Sequence, residues 1–369
     1  MSTLRARVPV DPETTSAKAA AREPLNLALP GRDRFPALDG LRAVAALMVF
    51  VNHVQLPGLH PQLIGMDAGV LVFFALSGYL LYAPFVAACG SGRPVDLRTY
   101  AIRRFLRIAP AYLVAAIAVG AIFYPATLRD PIGIVTMSHT PIIVAWTLQL
   151  EVVFYAILPL LAAALGAVAP ARRTSALILM AGASILGTVV IMTVLVMLTG
   201  HVDSTAIQTF PSFIWAFVPG MLVAELQHRN LLAGAATALV PVAGIVLIAV
   251  SVTFDPPPAL DLPAGIGAGL LIAHVVARPN LPAIVVRPAL IAGALSYSFY
   301  LWHEAIIPAV DRPATWSGAA VALVLSTGVS TVIYLAVERP SIELGRRLSR
   351  RSLDRQASGG LSSTGPLVP

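Results

Sequence analysis

Several ionisable side chains lie inside long apolar stretches of this sequence, where a charge is costly and usually serves a function. Arg42 and His53 are eleven residues apart in the first stretch. In an α-helix eleven residues make about three turns and span about 16 Å, so both side chains project from one stripe. Asp39, three residues before Arg42, can form a local ion pair with it. The stripe would carry a cation at one end and an imidazole, a common general base, at the other.

Glu151 lies in another apolar stretch, where an unpaired carboxylate would be neutralised or very costly. Its predicted depth in the membrane matches that of His53. We therefore expect a hydrogen bond between Glu151 and His53 that orients the imidazole and stabilises its protonated form. The alternatives are a purely structural contact between two helices and, for Arg42, a side chain that extends to the membrane surface.

Tyr300, Trp302 and His303 follow one another closely in a later stretch. They predict a polar cavity, and an interfacial aromatic belt is the alternative. The pair Ser77-Gly78 lies in the middle of a further stretch. Such a pair lets a neighbouring backbone approach closely, and Ser77 is also a candidate for contact with a substrate.

Arg104 and Arg107 are separated by three residues at the polar end of an apolar stretch. In a helix they share one face and can hold one anionic group between them. Phosphate is the natural partner of such a pair. Contact with lipid headgroups is the alternative.

The composition indicates a membrane protein. Of 369 residues, 57% are hydrophobic and 12% charged, with a mean hydropathy of +0.81. A soluble globular chain has about 25% charged residues, so the soluble, disordered and disulfide-rich secreted classes are excluded. Cys89 is the single cysteine, which leaves no intrachain disulfide, and we predict no metal site. The net charge of +7 is attributed to cytoplasmic loops and not to nucleic-acid binding.

Ten apolar segments are long enough to cross a bilayer, which takes about 20 helical residues. Polar and basic tails flank them at 1–34 and 342–369, and both tails are expected to be flexible and cytoplasmic. The spans therefore form one domain over 35–341. They are predicted at 38–56, 66–89, 108–124, 142–166, 175–199, 210–227, 231–254, 262–277, 288–310 and 316–337.

The distribution of basic residues predicts the orientation. With the N-terminus inside, all but Arg129 and Arg312 of the 25 Lys and Arg residues fall on the cytoplasmic side. This is the asymmetry that cytoplasmic loops show. We therefore expect an all-α polytopic protein of about ten transmembrane helices in the plasma (inner) membrane, with both termini in the cytoplasm.

Five short motifs, in this order, resemble those of the acyltransferase family 3 membrane proteins, bacterial O-acyltransferases that modify sugars, lipopolysaccharide, peptidoglycan and some antibiotics. The resemblance covers roughly 35–341. The motifs are Leu38–Arg42 with His53, Phe73–Tyr79, Arg104–Arg107, Trp146–Leu148 with Glu151 and Tyr155, and Tyr300–His303 followed by Glu338–Pro340.

The resemblance implies a ten-helix fold that binds acyl-CoA, usually acetyl-CoA, from the cytoplasm and acylates a hydroxyl of a carbohydrate or glycoside, with no permanently bound cofactor. Some members carry a fused esterase domain, which is not expected here, and the sequence identifies no protein partner.

On this basis His53 and Glu151 are the predicted catalytic pair. Arg42, Arg104 and Arg107 are predicted to bind the coenzyme, and the acceptor side is assigned to Asp39, Ser77, Tyr300, Trp302 and His303. Besides the acyl-CoA and the acceptor, membrane lipid is the expected partner. A transporter of a sugar or lipid-linked intermediate is the alternative, although no pair of broken-helix repeats supports it.

Overall fold

The structure is a computed structural model that describes residues 35–54, 64–91, 95–201, 208–310 and 315–349. Within these ranges the chain is helical and contains no strand. Eight of its helices are long and apolar enough to cross a membrane. The prediction of an all-α polytopic membrane protein is therefore confirmed. The predicted N-terminal tail 1–34 and residues 350–369 of the predicted C-terminal tail lie outside the described residues, as do Arg93 and Arg312.

Ten helices coincide with the ten predicted spans. They are α1 Pro36–Val54, α2 Ala68–Ser91, α3 Leu97–Phe123, α4 Ala145–Ala167, α5 Pro170–Thr199, α6 Phe210–His228, α7 Leu239–Phe254, α8 Leu262–Ala277, α9 Ala283–Ala309 and α10 Trp316–Ile333. Helices α7 and α8 have 16 residues each and are shorter than the others. Helix α3 begins eleven residues before its predicted start because Asp96 caps its first turn through the Arg98 amide.

The core of the bundle is the contact between α2 and α6. In α2, 72% of the membrane-length window is buried inside the protein, compared with 17% in α5, so α5 faces outward. Gly78 and Gly220 allow the approach, since a Cβ at either would overlap a carbonyl of the facing helix, that of Phe217 or of Ala75. Small residues at such contacts are typical of packed membrane helices.

Helix α9 packs along α1 and brings the two histidine-bearing helices together. Gly293 on α9 lies against Asp39 on α1. Helix α10 continues through a π-helical turn, Tyr334–Glu338, and the chain stays helical to Ser349. Residues 342–349, predicted to begin a flexible tail, are therefore helical, and Arg103 Nε donates to the buried Ser349 Oγ at 3.1 Å.

Candidate active site

Helix α1 lines two separate cavities. The first, called here the Arg42 cavity, has a volume of about 60 Å³ and also contains residues of α2, α3, α4 and α9. The second, the His53 cavity, has a volume of about 600 Å³ and lies where α1 ends. The stripe predicted on α1 thus opens into two cavities, one at Arg42 and one at His53.

The centre of the Arg42 cavity is the Glu151 carboxylate. Ser77 Oγ on α2 donates to Glu151 Oε1 at 2.6 Å, and Tyr155 Oη, one turn further along α4, donates to the same oxygen at 2.6 Å. The predicted hydrogen bond between Glu151 and His53 is not formed. The reason is local, because Glu151 is satisfied by two hydroxyl donors in its own cavity, while His53 Nδ1 lies 2.7 Å from the Val49 carbonyl oxygen.

The two arginines of α3 have different surroundings within the protein. Arg107 lines the Arg42 cavity, and its Nη1 lies 3.6 Å from Oε1 of the buried Glu338. The Arg104 guanidinium instead lies over two aromatic rings, 5.9 Å from the centroid of Tyr100 and 5.8 Å from that of Tyr155. Arg104 Nε is buried and has no hydrogen-bond partner among the described residues.

Glu338 is a residue of this site whose role the sequence did not predict. It belongs to the π-helical turn that follows α10 and is 1% exposed. Its Oε2 accepts a 2.7 Å hydrogen bond from Ser298 Oγ on α9, so it connects α3, α9 and the extension of α10. The available signal was its position one residue beyond a predicted span, where an acidic residue is usually assigned to the interface. π-Helical turns are often found at functional sites.

The imidazole rings of His53 and His303 lie edge to face, with centroids 5.1 Å apart. His303 is 0% exposed, and its Nδ1 is 2.8 Å from the Tyr300 carbonyl oxygen. A carbonyl only accepts, so in the neutral form of each ring Nδ1 carries the proton and Nε2 carries the lone pair. His303 Nε2 has no hydrogen-bond partner in the described part of the chain. Two potential bases thus stand side by side.

Tyr300, Trp302 and His303 do not form the wall of the His53 cavity. Tyr300 lines the Arg42 cavity, where its hydroxyl lies 2.6 Å from Thr147 Oγ1. Trp302 is half-buried, and its Nε1 has no hydrogen-bond partner within the described ranges. The residues of α9 in this wall are instead their sequence neighbours and residues one turn further on, namely Leu301, Glu304, Ala305, Ile307 and Pro308. Tyr300, Trp302 and His303 therefore do not line one cavity together, because successive residues of a helix project in different directions.

The remaining wall of the His53 cavity comes from the ends of five helices and the segments beside them. Phe123 and Tyr124, at the end of α3, are 45% and 48% exposed, so the cavity opens to the surroundings. The loop after α7 contributes Asp255 and three prolines. It is anchored by Trp215 Nε1, which donates to the Ala259 carbonyl at 2.8 Å.

Ten apolar helices with two internal polar cavities define a multi-pass membrane protein that carries buried acid–base groups. Comparison with known families defines the class more closely. The acyltransferase domain of the acyltransferase 3 family matches residues 35–335, so the chain belongs to that family. The resemblance drawn from the five motifs is confirmed.

The chain is similar to part of several curated proteins. A peptidoglycan O-acetyltransferase of Listeria monocytogenes is 32% identical over 102 residues, which are 27% of this chain and 16% of that protein. A putative peptidoglycan O-acetyltransferase of Bacillus subtilis is 29% identical over 154 residues, 34% of this chain and 23% of the relative. A putative O-acetyltransferase of Staphylococcus aureus is 28% identical over 150 residues, with coverages of 34% and 24%. The alignments thus span less than a quarter of each relative, and no solved structure matches.

Proposed function

We propose that this protein is an acyl-CoA-dependent O-acyltransferase of the plasma membrane that moves an acetyl group to a hydroxyl of a carbohydrate or glycoside. The observation that carries the proposal is that α1 presents an arginine to one cavity and an imidazole with a free Nε2 to another. Relatives named as O-acetyltransferases support acetyl as the group transferred.

The donor is assigned to the Arg42 cavity, which faces the cytoplasm in the orientation that the basic residues predict. Arg42 and Arg107 line it, and Arg104 is nearby on α3, so the site suits an anion such as the coenzyme phosphates. A volume of about 60 Å³ holds about two water-sized groups. The closed cavity therefore has room for the acyl end alone, and binding of the whole arm requires the helices around Arg107 to move apart.

His53 is assigned as the general base. Its Nε2 takes the proton of the acceptor hydroxyl while that oxygen attacks the thioester carbonyl, and the imidazolium then returns the proton to the leaving thiolate. Phe73 and Tyr300, with ring centroids 5.7 Å apart, line the Arg42 cavity, and Tyr300 contacts His303. The thioester passes these two rings to reach His53. Glu151 acts on the donor side, where its carboxylate balances the charges of Arg42 and Arg107.

Turnover and binding of radiolabelled acetyl-CoA by the purified protein test this division of roles. His53→Ala is expected to lower acetyl transfer by about 10²–10⁴-fold, the usual contribution of a general base, and to retain acetyl-CoA binding. Arg107→Ala is expected to weaken acetyl-CoA binding. His274→Ala is the matched control, since this histidine of α8 lies 2.9 Å from the Ala235 carbonyl oxygen and lines neither cavity.

Near-normal transfer by folded His53→Ala would contradict the assignment of the base. An unchanged affinity of Arg107→Ala for acetyl-CoA would contradict the donor site. If the wild type binds neither acetyl-CoA nor longer acyl-CoAs, the proposal as a whole fails, and flux of labelled glycosides into vesicles would then test the transporter alternative.

A further inference from the structure

The wall of the His53 cavity carries three carboxylates and, among its described residues, no lysine or arginine. The carboxylates are Asp67, Asp255 and Glu304, from three different parts of the chain. None of them is needed for the acid–base step assigned to His53. The presence of three acidic side chains in one cavity therefore needs a separate explanation.

The fold holds each carboxylate at the cavity independently. Asp255 follows α7 in a left-handed backbone conformation with φ of 47°, which aspartate and asparagine tolerate well. Asp67 immediately precedes α2 and accepts a hydrogen bond from the Ala68 amide. Glu304 accepts a hydrogen bond of 3.1 Å from the Val144 amide before α4. The three are thus fixed by a turn and two helix starts, and not by each other.

A fourth acidic residue lies near the wall. Asp261, at the start of α8, is close enough to Asp67 to interact with it electrostatically, and it adjoins the same loop as Asp255. Arg129, the outer basic residue that the structure describes, is not part of the wall. An anion that entered the cavity would meet repulsion with no compensating cation, which is how proteins reject unwanted partners.

The other properties of the cavity suit a sugar. Its volume of about 600 Å³ lies in the usual range for small-molecule sites. Phe123 and Tyr124 supply exposed aromatic surface beside the carboxylates. Carboxylate oxygens accept hydrogen bonds from sugar hydroxyls, and they pair with a protonated amine.

We propose that the His53 cavity selects acceptors without negative charge, namely neutral or amino sugars, and that Asp67 and Asp255 set this selectivity. The inference rests on the proposed acyltransferase function and names its substrate class. At about 8 Å and an effective dielectric constant of about 40, repulsion from each carboxylate weakens binding of a unit negative charge by about sixfold. Two carboxylates together should therefore discriminate by more than about tenfold.

The test compares methyl glucoside with methyl glucuronide, which share one ring and differ at C6, where the glucuronide carries a carboxylate in place of the hydroxymethyl group. Because the glucuronide also lacks the C6 hydroxyl, the change of the KM ratio in the wall variants reports the effect of charge. Release of CoA from acetyl-CoA is measured with each glycoside in turn. The wild type is expected to show a KM for the glucuronide at least about tenfold higher. Asp255→Asn and Asp67→Asn are each expected to reduce that ratio by about sixfold at most.

Asp130→Asn is the matched control. Asp130 is an exposed acid before the short helix Pro131–Thr136, it caps that helix through the Gly133 amide, and it does not line the cavity. Asparagine caps a helix as well as aspartate, so this variant removes a charge without removing the cap.

Three outcomes are distinguishable. A ratio that falls in the two wall variants and stays constant in Asp130→Asn supports the inference. Equal KM values for the two glycosides in the wild type, or an equal fall in the control, overturn it and leave the acyltransferase function standing. If neither glycoside raises CoA release above the rate of His53→Ala, the proposed function and the inference fail together.

Discussion

Two hydroxyl groups hold the Glu151 carboxylate, and removing them tests whether it is the charged centre of the Arg42 cavity. Ser77→Ala and Tyr155→Phe each delete one donor of a 2.6 Å hydrogen bond to Glu151 Oε1 and leave the rest of the side chain in place. The aromatic ring beside Arg104 is kept in the second variant. The two changes therefore affect hydrogen bonding to Glu151 much more than packing.

The size of the effect follows from the geometry. A hydrogen bond to a charged group contributes about 1.5–3 kcal/mol, so each single variant should lose that amount of unfolding free energy. Both bonds end on the same oxygen, so in each single variant the other hydroxyl still stabilises the carboxylate. In the double variant neither does, and the loss should exceed the sum of the single losses by about 0.5–3 kcal/mol.

Equilibrium unfolding in mixed detergent micelles, followed by circular dichroism, measures these free energies. Ser296→Ala is the control, since Ser296 lines the same cavity but donates to a neutral carbonyl, that of Gly293, at 2.8 Å. It should cost about 0.5–1.5 kcal/mol. Single losses no greater than this control, adding within about 0.5 kcal/mol in the double variant, would refute the description of Glu151 as a charged centre.

Three further predictions concern the histidine pair, the helix core and the loop beside the His53 cavity. His303→Leu should lower kcat for acetyl transfer by about tenfold or more and leave the KM for acetyl-CoA unchanged. The reason is that it removes the lone pair that can accept a hydrogen bond from protonated His53. Steady-state CoA release measures kcat and KM. Gly220→Ala should destabilise the protein by about 1–3 kcal/mol in thermal melting, because the added Cβ overlaps the Ala75 carbonyl, whereas Gly182→Ala adds its Cβ in open space and should be neutral. Burial raises the pKa of Asp261, so as the pH rises above about 4 this carboxyl ionises in the unfolded chain before it ionises in the folded protein, and stability falls. Asp261→Asn can still accept the hydrogen bond from the Ala264 amide at the start of α8. This variant should therefore flatten that part of a profile of melting temperature against pH.

The number and type of elements could be predicted from the sequence because hydrophobicity fixes them. Each predicted span corresponds to a helix, even the sixteen-residue α8, whose predicted bounds 262–277 agree with the structure. The start of α3 was missed because its first two turns carry arginines and resemble a loop on a hydropathy scale. The hydropathy scale likewise ended the last predicted span at residue 337, which placed Glu338 just outside it.

Side-chain partners were less predictable than spans, since they depend on helix rotation and on polar groups that a depth estimate does not include. His53 and Glu151 were paired by depth alone. The structure gives Glu151 two hydroxyl partners and places the His53 ring beside His303. Glu225 shows the same effect. It lies near the end of the predicted span 210–227, yet it is 1% exposed and accepts a 2.7 Å hydrogen bond from Tyr82.

The two cavities differ in charge, and this difference bears on where coenzyme A would bind in the proposed reaction. Arg42 and Arg107 outnumber Glu151 in one cavity, whereas Asp67, Asp255 and Glu304 line the other. Under the proposed function coenzyme A, a polyanion, would be attracted to the first cavity and repelled from the second. Only the neutral acyl end of the donor can approach His53 without electrostatic cost. The difference in charge between the cavities would thus keep the coenzyme at the Arg42 cavity while its acyl group is transferred.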